Sequence, residues 1–302
     1  LLLSERDAIG KKLDAINLDF EKMSERLQDL FELAGLGLSV EMFTHEFDSS
    51  IRSVRQKNQQ IVSNRAAQTV DNLVRHINYN DVIVIDKPKG MVVHPSAGHM
   101  SHTLVNGLLY HCKGNLSGIN GVLRPGIVHR IDMDTTGAII ACKNDIAHQS
   151  LAKQLQVHSI TRKYEAIVYH NLQEETGTID KPIGRHPVHR KKMAVVQPEK
   201  GKRAVTHYRV LSHLNHKFNY IECQLETGRT HQIRVHMASI MHPLLGDELY
   251  GPKPQKMFEK LQGQTLHAKI LGFQHPVTNQ YIEVESPLPQ YFVELLKNLG
   301  NS

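Results

Sequence analysis

Three short clusters set charged side chains against apolar runs: Arg130 with Asp132, Arg162 and Lys163 with Tyr164, and Arg229 with His231 and Arg234. The first lies in Gly126-Ile127-Val128-His129-Arg130-Ile131-Asp132-Met133-Asp134-Thr135-Thr136-Gly137. Here the apolar pair Ile127-Val128 runs into His-Arg-Ile-Asp, and a second apolar run, Ala138-Ile139-Ile140-Ala141, follows. That pattern predicts strand, loop, strand. Arg130 and Asp132, two apart at a strand end, point to the same side, so one can hold a substrate where the other reacts. An Asp at such a place is commonly only a turn or cap residue. With two distant arginine-bearing clusters beside it, Asp132 becomes a candidate nucleophile, because a carboxylate that stays ionised in a closed pocket needs a cation. Arg229 is the candidate cation: its planar fork fixes a carboxylate in one orientation.

The elements that must position these groups follow from periodicity and punctuation. Val82–Asp86 is a short apolar run halted by Lys87-Pro88-Lys89-Gly90, and reads as a strand. Leu104–Leu109 reads as a short helix, 113–126 as loop, and Asp145–Val157 as a helix. Ile160–Val168 alternates as a strand does. Residues 178–204 form an irregular basic stretch with Arg185, Arg190, Lys191, Lys192, Lys200, Lys202 and Arg203. Strands resume at Ala204–Leu211 and Tyr220–Leu225, and Glu226–His236 opens a helix that reaches Ile240. Two strands are expected in 265–285 and a terminal helix in Pro289–Leu299. Many strands, some antiparallel, with few helices between them indicate an α+β fold rather than a doubly wound one.

The first 77 residues read differently. Leu13, Ile16, Phe20, Met23, Leu27, Leu30, Phe31 and Leu33 recur at helical spacing, Gly35 and Gly37 interrupt, and a second helix passes through Val40, Met42, Phe43 and Phe47. This predicts a helical arm or hairpin over 1–80, a device for dimerisation, with the boundary in Asn78-Tyr79-Asn80-Asp81.

Bulk composition narrows the classes. The chain has 302 residues, 40% hydrophobic and 22% charged, as soluble globular proteins do. No apolar run approaches the roughly 18 residues that cross a bilayer, and Leu1-Leu2-Leu3, followed at once by Ser4-Glu5-Arg6-Asp7, is not expected to be a signal peptide. The opening Leu leaves a fragment open. Cys112, Cys142 and Cys223 lie far apart with no C-x-x-C pair, which points to reduced thiols, a cytoplasmic setting and no zinc ribbon. The net charge is +6. Residues 1–80 hold 10 Lys/Arg against 12 Asp/Glu, so the remainder holds 26 against 18, a net of +8. A basic body suits a polyanion partner, although many enzymes share so modest an excess.

These residues resemble the RluA/RluD family of pseudouridine synthases over 81–296. His129-Arg130-Ile131-Asp132-Met133-Asp134-Thr135-Thr136-Gly137 is similar to the family signature H-R-L-D-x-x-T-S-G, with Ile for Leu and Thr for Ser. Ile85–Gly90, Arg162–Ala166 and Leu225–His236 match three further family segments in the expected order. The resemblance implies a mixed, largely antiparallel central sheet flanked by helices and loops in 81–302, preceded here by the helical arm. It implies isomerisation of uridine to pseudouridine within RNA, most readily large-subunit ribosomal RNA with tRNA as the alternative, without metal or cofactor. By the family pattern Asp132 is the essential carboxylate, either attacking the sugar or removing the 2′ proton in a glycal route. Arg229 would pair with it. Tyr164 would stack on the base and help remove the C5 proton. Arg130 would fill the space left by a flipped nucleotide, and Ile233 would line the uracil pocket. His129 and Lys87 are further substrate-side candidates. Each has a structural alternative: a loop hydrogen bond for His129, a solvated turn charge for Lys87. A catalytically silent RNA-binding protein is the reading from another class, and the intact Asp132, Tyr164 and Arg229 argue against it.

One departure is large. Relatives of this kind usually begin with a small S4 RNA-binding domain, and 1–80 shows none of its basic helix pattern. Phe43-Thr44-His45-Glu46-Phe47 instead looks like the dimerisation helix of sensor histidine kinases, without their glycine-rich ATP-binding boxes.

Overall fold

The computed structural model describes residues 77–300, apart from 97–98, 100, 122, 190–191, 254–257 and 259–260. The expected helical arm and His45 therefore lie outside the described residues. Eleven strands and four α-helices are described. The strands are β1 Ile77–Asn78, β2 Val82–Lys87, β3 Thr136–Cys142, β4 Thr161–Tyr169, β5 Thr176–Asp180, β6 Ile183–Arg185, β7 Met193–Val195, β8 Val205–Leu214, β9 Phe218–Leu225, β10 Leu266–Gln274 and β11 Tyr281–Glu285. The helices are α1 Leu104–His111, α2 Asp145–Gln156, α3 Gln232–Ser239 and α4 Gln290–Gly300.

Nine strands make one sheet in the order β1-β2-β3-β10-β4-β9-β8-β5, with β11 also on β10. Only β3 and β10 run parallel; the other pairs are antiparallel. The expected mixed, largely antiparallel α+β architecture is thus present. The parallel contact is short, His267 and Ala268 opposite Thr136 and Gly137. From Ile270 onward β11 pairs with β10. Gly137 makes the join possible: its φ is +105°, and an added Cβ would lie 2.8 Å from the Ala268 nitrogen.

The β2–β3 pair is buried on both faces, so its sequence reads as a continuous apolar run rather than an alternation. Ile83, Ile85 and Ile139 pack with Leu104 and Leu108 of α1. Val82, Val84, Ala138 and Ile140 pack on the other side with Ala147 and Leu151 of α2. Each helix is started by a local cap. Thr103 and Asn106 form a capping box for α1, and the Asn144 side chain accepts from the Ala147 N–H at 2.9 Å for α2. A third core, with Ile131, Tyr164, Ala166, Ile221, Ile233, Met237 and Leu266, lies between the sheet and α3. This core carries the floor of the site.

Two local expectations change. Ile127-Val128 does not form a strand; Ile127 makes a single bridge to Ala141. Gly126 turns the chain at φ +71°, donates to Ser117 O at 2.8 Å and accepts from Cys142 N at 2.8 Å. A loop thus takes up the hydrogen bonds a strand would have made. The basic stretch 178–204, expected to be irregular, holds the end of β5, the antiparallel pair β6–β7, and a 3₁₀ turn at Pro198–Lys200.

Candidate active site

The loop 129–135 joins the Ile127 bridge to β3 and presents Asp132. A turn closes it, the Thr135 N–H donating to Asp132 O at 3.1 Å. Two contacts hold it from behind: Lys87 Nζ donates to Met133 O at 2.7 Å, and Gln264 Nε2 donates to Thr135 Oγ1 at 3.1 Å. Opposite stands the N-terminus of α3. His231 precedes the helix in the left-handed region at φ 56° and ψ 24°, where a residue other than glycine is uncommon. Gln232 braces that turn. Its Oε1 accepts from Thr227 Oγ1 and from the Arg229 N–H, and its Nε2 donates to Val205 O and Thr206 Oγ1, all within 2.8–3.0 Å.

This framework aims Arg234, in the first turn of α3, at Asp132. Arg234 Nη1 donates to Asp132 Oδ2 at 2.9 Å. The other edge of the guanidinium forks onto Asp247, Nε to Oδ2 at 2.7 Å and Nη2 to Oδ1 at 2.9 Å. The Asp247 side chain is wholly buried, Arg234 nearly so, and that of Asp132 is 19% exposed. Burial opposes the Arg234 charge, but the Asp247 hydrogen bonds and the charges of Asp247 and Asp132 raise its pKa above the ordinary value. His231 Nε2 lies 3.8 Å from Asp132 Oδ1. Burial lowers the pKa of His231, and the Asp132 charge works against that shift.

Asp132 opens into a pocket whose lining includes Arg130, Tyr164, Leu225, Arg229, Ile233 and Leu266. Tyr164 is buried, and burial raises the pKa of its phenol, with Arg162 lowering and Asp132 raising it further. The pocket therefore joins a carboxylate, a neutral phenol and the apolar side chains of Leu225, Ile233 and Leu266. Beside it an open groove of about 600 Å³ is lined by Arg185, Lys200, Lys202 and Arg229, with Gly184, Gly201 and Gly228 keeping its walls low. Among the described residues no group of three His, Cys, Asp or Glu side chains converges as a metal site would need.

Five of the seven candidates line this one pocket: Asp132, Tyr164, Arg130, Ile233 and Arg229. Arg229, however, does not pair with Asp132. Its Nε donates to Arg203 O at 3.0 Å, and Arg234 takes the place on the carboxylate. The reason is geometric. Arg229 sits before the helix, in the turn that Gln232 fixes, whereas Arg234 is a helix residue whose Cα–Cβ bond tilts toward the helix N-terminus and so toward the loop. Both arginines occur in one motif, and only this helix start separates them. Asp247 lies 13 positions beyond Arg234, outside the motif, so nothing in the sequence signals the pair.

His129 and Lys87 hydrogen-bond to the backbone. His129 Nε2 accepts the Ile140 N–H at 3.1 Å. Burial, helped by the Arg162 charge, pushes the His129 pKa down to about 3, so the ring is neutral. Lys87 is 1% exposed, and its ammonium donates to Pro88 O, Met91 O and Met133 O at 2.7–2.9 Å. Three donors on three carbonyls leave none for a phosphate. Lys87 is instead the peg under the Asp132 loop. Burial lowers its pKa to about 7, against the raising influence of Asp134 and Asp132.

Residues 81–239 match the family model described as RNA pseudouridylate synthase. A Bacillus subtilis protein, "Uncharacterized RNA pseudouridine synthase YlyB", is 55% identical over 219 residues, covering 72% of this chain and 70% of its own. "Ribosomal large subunit pseudouridine synthase D" of Zymomonas mobilis is 52% identical over 225 residues, 72% of this chain and 70% of its own. Among solved structures, "Human RNA Pseudouridylate Synthase Domain Containing 4" shares the fold at a TM-score of 0.63 and 24% identity, covering 78% of this chain and 96% of its own. With that match spanning the Asp132 loop, Tyr164 and the start of α3, the chain belongs to the RNA pseudouridylate synthases and is an RNA pseudouridine synthase.

Proposed function

We propose that Asp132 is the carboxylate that opens the reaction on a uridine of large-subunit ribosomal RNA. The observation that carries this is the Arg234–Asp132 pair at 2.9 Å, set in a pocket that Tyr164, Leu225, Ile233 and Leu266 also line. A cation on one oxygen fixes the orientation of the carboxylate. The other oxygen faces the pocket, where C1′ or the 2′ proton of a bound nucleotide would lie. The N1–C1′ bond then breaks, the uracil turns between Tyr164, Ile233 and Leu266, and C5 bonds to C1′ with the Asp132 carboxylate restored; the C5 proton passes to solvent and N1 takes one up, so the product is an isomer. Because Tyr164 stays neutral, stacking against the base suits it better than proton removal. Arg130, exposed at the pocket rim, fills the stack from which the nucleotide is flipped.

The basic groove beside the pocket supports a path for the RNA backbone, with Arg229 shared between the two. The names of relatives at 45–52% identity support ribosomal RNA as the substrate. Residues 81–302 would be the catalytic domain, with 1–80 a separate arm. No helix among the described residues is long and apolar enough to cross a membrane, and Cys112, Cys142 and Cys223 are buried free thiols, which supports a cytoplasmic enzyme. The test is pseudouridine mapping of total RNA from cells with and without the gene, and with Asp132→Asn. Loss of defined sites in large-subunit ribosomal RNA in both altered strains is expected. Loss confined to tRNA would overturn the substrate, and sites retained with Asp132→Asn would overturn the role of Asp132.

A further inference from the structure

Arginine prefers to grip a carboxylate with two parallel hydrogen bonds. Arg234 does this to Asp247 and not to Asp132, which receives only Nη1. Asp247 is itself held: its Oδ1 also accepts the Leu249 and Tyr250 N–H groups at 3.0 and 3.2 Å. Those bonds seat Tyr250, whose ring lies 5.1 Å from the Arg234 guanidinium carbon. The Tyr250 hydroxyl meets His231 Nδ1 and accepts the Met193 N–H of β7, both at 2.8 Å. The fork of Arg234 is therefore occupied and locked before any substrate arrives. Asp132 Oδ1 is left with His231 Nε2 at 3.8 Å, outside hydrogen-bond range.

We propose that Asp247 is a positioning residue for this reaction: by occupying the fork of Arg234 it keeps that arginine from clamping both oxygens of Asp132, and so leaves Oδ1 as the reacting atom. This rests on Asp132 being the reacting carboxylate. Without Asp247 the guanidinium is free to turn its fork onto Asp132. The carboxylate then rotates, and its second oxygen is tied up in a hydrogen bond it must break to react. Asp247 also divides the charge of Arg234 between two carboxylates.

The test is Asp247→Asn in the full chain, with Tm measured and with kcat and KM measured per folded molecule on an RNA hairpin carrying the mapped uridine. The expected result is a kcat about 100-fold lower, the scale of a 1 Å misplacement, with KM within about threefold. A residue serving stability alone would lower Tm and leave kcat and KM of the folded molecules at their wild-type values. Unchanged kcat, or a KM raised in step with the loss, overturns the proposal. Should Asp247→Asn fail to fold, Asp247→Glu keeps the charge and displaces the fork by one methylene. A roughly tenfold loss of kcat with KM unchanged then supports the proposal, and wild-type kcat overturns it. Asp132→Asn is run alongside. If it retains activity, the proposed role of Asp132 fails; if it is inactive while Asp247→Asn matches wild type, only the present inference fails.

Discussion

The Asp132 loop has charged groups on both sides, and the two sides use them in opposite ways. In front, Arg234 is divided between Asp247 and Asp132, and one Asp132 oxygen is left facing an open pocket. Behind, Lys87 is enclosed and all its donors end on carbonyls. Lys89 lies over the Tyr291 ring at 4.5 Å and reaches Gly263 O at 3.3 Å, close to Asp134. Burial raises the Asp134 pKa, and Lys89 and Lys87 oppose that shift. The front leaves an acceptor unsatisfied and so keeps chemistry available. The back satisfies its donors and so fixes geometry. A buried charge is thus not by itself a catalytic signal; what separates the two roles is whether hydrogen-bonding capacity is left facing a cavity.

Substitutions on each side should fail differently. Asp132→Asn is expected to lower turnover by roughly 10⁴-fold or more while Tm stays within a degree or two, read by single-turnover assay and calorimetry. A large fall in Tm would mean that the front is structural too. Lys87→Met should do the reverse. It strips three part-buried carbonyls of their donor, so stability should drop by about 3 kcal/mol, measured by urea unfolding, with activity falling as the Met133 turn loosens. A Lys87→Met protein of normal stability but no activity would collapse the contrast.

A smaller effect concerns pH. The His129 pKa is lowered to about 3 in the folded protein against about 6.5 in an unfolded chain. Between those values the unfolded state binds the extra proton, so stability rises with pH there. The contribution of neutral His129 is complete above about pH 6.5 and is lost as pH falls toward 3. His129→Gln should therefore flatten the dependence of unfolding free energy on pH between 6 and 4 by up to about 1.4 kcal/mol per pH unit. An unchanged slope would show that the ring is not held neutral.

The smallest effect is expected in the groove. Lys200→Ala with Lys202→Ala should weaken RNA binding several-fold and make the plot of log K against log salt shallower by about 1.5 to 2 units, without changing kcat. An unchanged salt slope would remove the groove from the RNA path.

The sequence by itself determined the fold class, most of the strand–helix order from Val82 onward and the place of Asp132, because these rest on local signals. Such signals are apolar periodicity, capping residues such as Thr103 and Asn144, and a contiguous motif around the carboxylate. Gly126 and the β6–β7 pair were less legible, since each depends on hydrogen bonds made to a distant strand or turn. The partner of Asp132, the silence of Lys87 and the presence of Asp247 were decided only by tertiary structure. Arg234 and Asp132 lie 102 positions apart and Lys87 and Met133 lie 46 apart. Two arginines of one motif are equally good cations on paper. Only the direction in which α3 leaves its braced turn chooses between them.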